Sequence, residues 1–255
     1  MKNLTETLHH TPDSRREYVA FSGANATTPY LADHQQKYQR KLFASVDDVL
    51  ARCDLHDGMT VSFHHAFREG DKVINYVMDK LAQRGLKGIT LASSSLMSCN
   101  TPLIEHIRNG VIGKIYTSGM RGDLADAISH GLMDEPVQIH SHGGRVNLIQ
   151  KGEIAIDVAF LAVSCCDEYG NASGNGGKSQ CGSLGYAMVD AKYAKKVVLL
   201  TETLKPFPNL PASIVQDQVD YIVQIESVGD PAKISVGAAR VTSNPRELMI
   251  ARSAA

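Results

Sequence analysis

Two pairs of histidines, His64-His65 and His140-x-His142, each follow a short apolar run in the 255-residue sequence. His140 and His142 are two apart at the end of a strand-like segment, so both side chains can point the same way. With His64 or His65 they have the donor types to hold zinc. No cysteine or carboxylate completes a recognised spacing, and no metal is expected. The imidazoles then act either as hydrogen-bond donors to a carboxylate or as buried, satisfied side chains. Arg68 and Arg121 also follow strand-like runs. Each can clamp a carboxylate bidentately or stand solvated at a helix start. Ser93-Ser94 and Ser118-Gly119 add short polar groups at similar places.

The densest glycine stretch lies further on. Residues 164–179 hold four glycines, two asparagines and three serines, too little apolar surface for a core. They can expose N–H groups and bring backbone close to a ligand. Gly174, Gly176, Gly177 and Lys178 are the candidates there. Ala172-x4-Gly177-Lys178-Ser179 fits a relaxed phosphate-loop pattern, and residues 196–202 can imitate the acidic strand of a nucleotide triphosphatase. Against that reading, residues 180–185 form a poor helix, and the first position is Ala rather than Gly. Anion binding by the glycine-rich backbone stays open without it. Cys165-Cys166 has no helix start or base to activate it and reads as a pair of small buried hydrophobes.

These groups need elements to place them. Residues 156–163 are almost continuously apolar, as in a strand covered on both faces. Strands are also expected at 59–63, 88–92, 114–116, 137–140, 196–200 and within 219–228. Helices are expected after Ser45, at 73–84, near 102–109 and at 123–133. Strands separated by such helices imply βαβ units: an α/β fold with a mainly parallel sheet flanked by helices. Six of these strands end in small or polar residues. In a parallel sheet those ends share one edge, where open α/β folds bind ligands. Strand-to-helix loops are polar in any case, but a helix start needs only one capping residue. The rim is therefore read as a binding site.

Residues 1–41 are polar and weakly patterned and are read as an N-terminal extension, packed on the domain or a partner, or a partly disordered arm. Asn244-Pro245-Arg246-Glu247 is a strong helix start. Its helix ends without a C-cap and with an uncovered apolar face, so a further segment or another chain is expected to complete it. The formal net charge is −1, the pI is about 6.8 and aromatics are sparse, which argues against nucleic acid. No apolar stretch approaches a membrane span, and the N-terminus lacks a signal-peptide core. Five cysteines without a C-x-x-C pair suit a reducing, cytoplasmic setting.

Five blocks together closely resemble the alpha subunit of citrate lyase, a citrate CoA-transferase of the wider CoA-transferase superfamily. They are residues 57–68, which include His64-His65-Ala66-Phe67-Arg68; Leu91-Ala92-Ser93-Ser94-Ser95-Leu96; Ile115-Tyr116-Thr117-Ser118-Gly119-Met120-Arg121-Gly122; residues 136–145, which include His140-Ser141-His142-Gly143-Gly144-Arg145; and Cys181-Gly182-Ser183-Leu184-Gly185-Tyr186-Ala187. The resemblance runs over residues 42–255, a CoA-transferase-like first domain, with the family's second domain absent. It implies exchange of acetyl for citryl on the thiol of an acyl carrier protein, the gamma subunit. The beta subunit then cleaves the citryl-carrier to oxaloacetate and acetyl-carrier. No cofactor is expected on this chain itself; the thiol belongs to a phosphopantetheine-type arm derived from dephospho-CoA on the carrier, or to CoA. An oligomer is implied.

The wider superfamily often uses a glutamate of its second half as nucleophile, whereas this branch is thought to transfer directly through a mixed anhydride. The superfamily's glycine-rich loop after the first strand is replaced here by residues 64–68. For citrate and acetate as ligands, the expected contacts are His64, His65, Arg68, Ser93, Ser94, Ser118, Gly119, Arg121, His140 and His142. Backbone near Gly143-Gly144 or at Gly174, Gly176, Gly177 and Lys178 would meet an oxyanion. One rival is a non-catalytic half-domain that scaffolds the carrier; the other is the phosphate-loop nucleotide-binding protein.

Overall fold

A computed structural model describes residues 41–234 and 242–254. The expected N-terminal extension falls almost wholly outside these residues. The apolar run at the centre of the sequence forms strand Val158–Val163, buried at every position. Val158, Phe160 and Ala162 enter one core; Ala159, Leu161 and Val163 enter a second. A strand packed on both faces cannot alternate apolar with polar residues, which explains its composition.

In chain order the elements are β1 (Leu42–Phe43), α1 (Val46–Leu50), β2 (Thr60–Phe63), α2 (Val73–Gln83), β3 (Ile89–Ser93), α3 (Leu103–Arg108), β4 (Ile112–Thr117), α4 (Gly122–Ser129), β5 (Gln138–Ile139), α5 (His142–Lys151), β6 (Val158–Val163), β7 (Cys165–Cys166), β8 (Ala172–Ser173), α6 (Tyr186–Tyr193), β9 (Lys196–Thr201), β10 (Tyr221–Gln224) and α7 (Pro245–Ala254). Eight strands form one sheet in the order β1-β10-β9-β6-β2-β3-β4-β5, and every neighbouring pair is parallel. Residues of α1, α2, α3 and α4 join the first core, and those of α5 and α6 the second. The α/β reading thus holds, with helices on both faces of a parallel sheet.

Several local expectations change. No helix was expected between residues 141 and 156, because Gly143-Gly144 disfavours one. The structure forms α5 there: Ser141 Oγ accepts the Gly144 N–H at 3.0 Å, and the chain leaves through Gly152 at φ +78°. Likewise α6 was not anticipated. The helix expected at 123–133 stops at Ser129, and the last strand shortens to Tyr221–Gln224. α7 starts as expected, with Asn244 Oδ1 accepting the Arg246 N–H at 2.9 Å, and Met249 and Ile250 are exposed. No helix among the described residues is long and apolar enough to cross a membrane.

Two buried carboxylates fix loops at the sheet edge. Asp167 Oδ1 accepts the N–H groups of Tyr169, Gly170 and Asn171, and its Oδ2 those of Asn171 Nδ2 and Asn209. Glu202 accepts the N–H groups of Ser179 at 2.7 Å and Val228 at 3.3 Å. Asp71, by contrast, accepts the Ile74 N–H at 3.0 Å but makes no ion pair among the described residues, and burial pushes its carboxyl up to about 7. Between the ordinary value of 3.8 and that level, the folded chain holds a proton the unfolded chain has released. Stability therefore falls as pH rises through this window. Asp71→Asn keeps the accepting oxygen and removes the ionisation. It should exceed the parent by about 4 kcal/mol at pH 8 and match it near pH 4, as read by denaturant unfolding at both values.

Candidate functional site

Parallel pairing puts the ends of β2, β3, β4, β5, β6, β9 and β10 on one edge, and the loops after the first four of them form a continuous rim. The Ser118 N–H donates to Ser94 O at 3.2 Å, and the His140 N–H to Thr117 O at 2.9 Å. Ser93 Oγ donates to Ser95 O at 2.9 Å, and Gly119 O accepts the Leu96 N–H at 2.9 Å. These bonds stitch the loops after β3, β4 and β5 into one surface.

The histidines have different surroundings. His64 is buried, and its Nε2 lies 2.7 Å from Ala162 O. A carbonyl only accepts, so Nε2 carries the proton, and Nδ1 accepts the Ala66 N–H at 3.3 Å. Burial lowers this imidazole to about 4. It is a neutral staple between β2 and β6, not a rim group. His65 Nδ1 is 2.6 Å from Ser94 Oγ, which also accepts the His65 backbone N–H at 3.1 Å. With Nδ1 as acceptor of the Ser94 hydroxyl proton, Nε2–H is left as donor. Burial, then the positive neighbourhood of His64, His142, Arg68 and Arg145, lowers His65 to about 4.

His140 and His142 do not act as a pair. β5 ends at Ile139 and His142 opens α5, so the strand geometry that would align them is missing. The His140 ring stacks on Tyr116 at 5.9 Å. Its Nε2 is buried without a hydrogen-bond partner among the described residues, as is Ser118 Oγ. The exposed His142 ring lies 6.2 Å from that of His65 and 5.3 Å from Tyr186, with Tyr186 5.9 Å from His65. Among the described residues no group of three or more His, Cys, Asp or Glu is arranged to hold a metal.

Sequence reasoning missed the support beneath this triangle of rings. Arg145 on α5 is 1% exposed and meets Asp190 on α6 through Nη1 at 2.9 Å and Nη2 at 3.1 Å. Its Nη2 also donates to Ser62 Oγ at 2.9 Å and Ala92 O at 3.0 Å. The guanidinium carbon lies 5.6 Å from the Tyr186 ring centre, a cation–π contact. The sequence signal was present, with Arg145 three after His142 and Asp190 four after Tyr186, but it needs two helices that their compositions hide.

Arg68 and Arg121 are exposed and carry no ion pair among the described residues. Arg68 sits at φ +51°, a left-handed conformation uncommon for a residue with a side chain. Lys178 is exposed too. The glycines before it serve a different purpose from the one expected. A Cβ on Gly174 would lie 1.8 Å from Gly182 O, and one on Gly177 1.8 Å from Ser164 O. The close approach is to the protein's own backbone. Ser179 is buried on Gly229 and Glu202, and the next helix starts only at Tyr186. A phosphate loop needs its helix directly after the Lys-Ser pair, so the geometry of that reading is absent.

All five cysteines are free. Burial raises Cys165 and Cys166, and pushes Cys181 up to about 12, so none is a ready thiolate. The rim therefore offers the neutral His65 imidazole as a donor and two guanidiniums without an ion pair among the described residues, which suits an anionic ligand with several carboxylates. In a proton NMR titration, the His64 and His65 ring signals should stay at their neutral positions from pH 8 down to about pH 5. A midpoint near 6.5 for either would mean that its ring is solvated.

Residues 39–255 match the family model described as citrate lyase, alpha subunit. The chain is 63% identical over 235 residues to the citrate lyase alpha chain of Klebsiella pneumoniae, covering 92% of this chain and 46% of that protein. The alpha subunit of citrate lyase from Streptococcus mutans, solved in complex with citrate, superposes with a TM-score of 0.81 at 52% identity, over 85% of this chain and 42% of that one. The chain thus spans under half the length of these relatives. Glutaconate coenzyme A-transferase from Acidaminococcus fermentans shares the fold alone, with a TM-score of 0.53 at 12% identity over 72% of this chain and 75% of that one. The chain belongs to the citrate lyase alpha subunit family.

Proposed function

We propose that the rim of this chain binds citrate for acyl exchange on a carrier thiol: acetyl-carrier plus citrate gives citryl-carrier plus acetate. The carrier is an acyl carrier protein bearing a phosphopantetheine-type arm, and a beta subunit completes cleavage to oxaloacetate and acetate. The observation that carries this reading is the convergence of His65, His142 and Arg68 on one edge, with no carboxylate paired to either arginine of the rim among the described residues. The S. mutans relative was solved with citrate, which supports the same ligand here. The five unpaired thiols agree with a cytoplasmic complex.

A citrate carboxylate oxygen attacks the acetyl thioester carbon, giving a mixed anhydride and the carrier thiolate. The thiolate then attacks the citryl carbonyl carbon and acetate leaves, so every atom is accounted for without a protein nucleophile. Each attack makes an oxyanion. The N–H groups of His142 and Gly143, in the first turn of α5, lack intrahelical partners by position, and a Cβ at Gly143 would meet open space. They are suited to stabilise that charge. Neutral His65 orients a carboxylate by donation, the His142 ring beside it offers a further contact, and Arg68 and Arg121 offset the ligand's charge.

A specific observation favours a second reading, in which this chain docks the carrier while the reacting groups lie elsewhere. Glu202, the buried carboxylate at the rim, spends both oxygens on Ser179 and Val228, and the thiols are inert. Acetyl–citryl exchange assayed with this chain alone separates the two: turnover supports a complete site, and its absence with citrate still bound supports docking. In calorimetric titration with citrate, His142→Ala and Arg68→Ala should each weaken binding by roughly tenfold or more, the loss of one charge-assisted hydrogen bond. Wild-type affinity in both folded variants would remove the rim from consideration.

A further inference from the structure

The buried ion pair under the ring triangle reaches more elements than joining two helices requires. Arg145 contributes from α5, Asp190 from α6, Ser62 from β2 and the Ala92 carbonyl from β3. Ser62 Oγ closes the network by donating to Asp190 Oδ2 at 2.7 Å. Each of these four anchors stands just behind a rim residue on its own element or in the loop that follows it. His65 follows Ser62 by three and Ser94 follows Ala92 by two; His142 precedes Arg145 by three and Tyr186 precedes Asp190 by four. On a helix, residues three or four apart lie on one face, a turn apart. The network therefore sits one turn below the contacts among His65, Ser94, His142 and Tyr186, and the guanidinium also touches the Tyr186 ring.

We propose that Arg145 and Asp190 are positioning residues for the rim: their pair registers the first turns of α5 and α6 against β2 and β3, and so sets the mutual orientation of His65, His142 and Tyr186. A requirement for adhesion alone would be met by apolar side chains, because burying two charges is costly and apolar replacements of such pairs are often neutral or stabilising. What apolar side chains cannot supply is a planar fork whose Nη1 and Nη2 reach three other elements at once, which favours one relative placement of them. The importance of that placement for ligand binding rests on the citrate reading above; the placement itself does not.

The test replaces the pair together, Arg145→Met with Asp190→Leu, so that no lone charge is left buried. Ser62 retains the Ala92 carbonyl, 3.0 Å away, as its acceptor. The double variant should melt within a few degrees of the parent. Its His142 ring protons should lose the ring-current displacement caused by Tyr186, and citrate affinity should fall about tenfold or more by calorimetry. A folded double variant with parental His142 shifts and parental affinity would overturn the proposal. If the double variant does not fold, Arg145→Lys retains the charge without the fork: displaced His142 shifts support the proposal, unchanged shifts overturn it. A parent that binds no citrate while the His142 shifts still respond to the substitutions would sink the ligand reading and leave the positioning role standing.

Discussion

Parallel pairing is the constraint from which the rest of this structure follows. Every one of the eight strands runs the same way, so each strand must be followed by a crossover that returns to the start of the sheet. The crossovers cover both faces, and the strands become apolar throughout, as in Val158–Val163. Polar groups then have one place left near the sheet, the edge where strands stop. His64 shows how firmly that edge is held, since its ring joins the end of β2 to Ala162 of β6. The rim is an outcome of topology before it is an outcome of any side chain.

Charge is sorted along this edge. The carboxylates Asp167 and Glu202 face inward and are filled by backbone N–H groups, which holds Asp167 below the ordinary range of its type. The guanidiniums of Arg68 and Arg121 face outward with no ion pair among the described residues. These two carboxylates are thus used for construction, and these two guanidiniums are left available. Arg145, a buried cation of this region, is matched by Asp190 and adds little net field.

The fold was legible in the sequence where burial was apolar. The strand runs and the helix at 73–84 declared themselves by spacing, and the polar strand ends placed the edge. What stayed hidden was structure whose buried face is polar. α5 buries Arg145 with Ile149, and α6 buries Asp190 between two alanines, so both read as exposed or irregular. Their rim residue Tyr186 was hidden with them, because Arg145 and Asp190 meet across 45 positions. The histidines were found as candidates, but their separate surroundings depend on where β5 stops. Glycine was ambiguous for a physical reason: Gly174 and Gly177 lack a side chain because another backbone is close, and the sequence does not say whose.

That last point changes how the segment between β6 and α6 behaves. With Ser164 and Gly182 carbonyls filling the space a methyl group would need, and with Ser179 clasped by Glu202, its many glycines do not make it supple. A molecule arriving at the edge meets a wall already set in place, and little conformational entropy is lost in receiving it. Adaptation to a differently shaped acid would therefore come from exchanging side chains along the rim, since this stretch of backbone has no slack to lend.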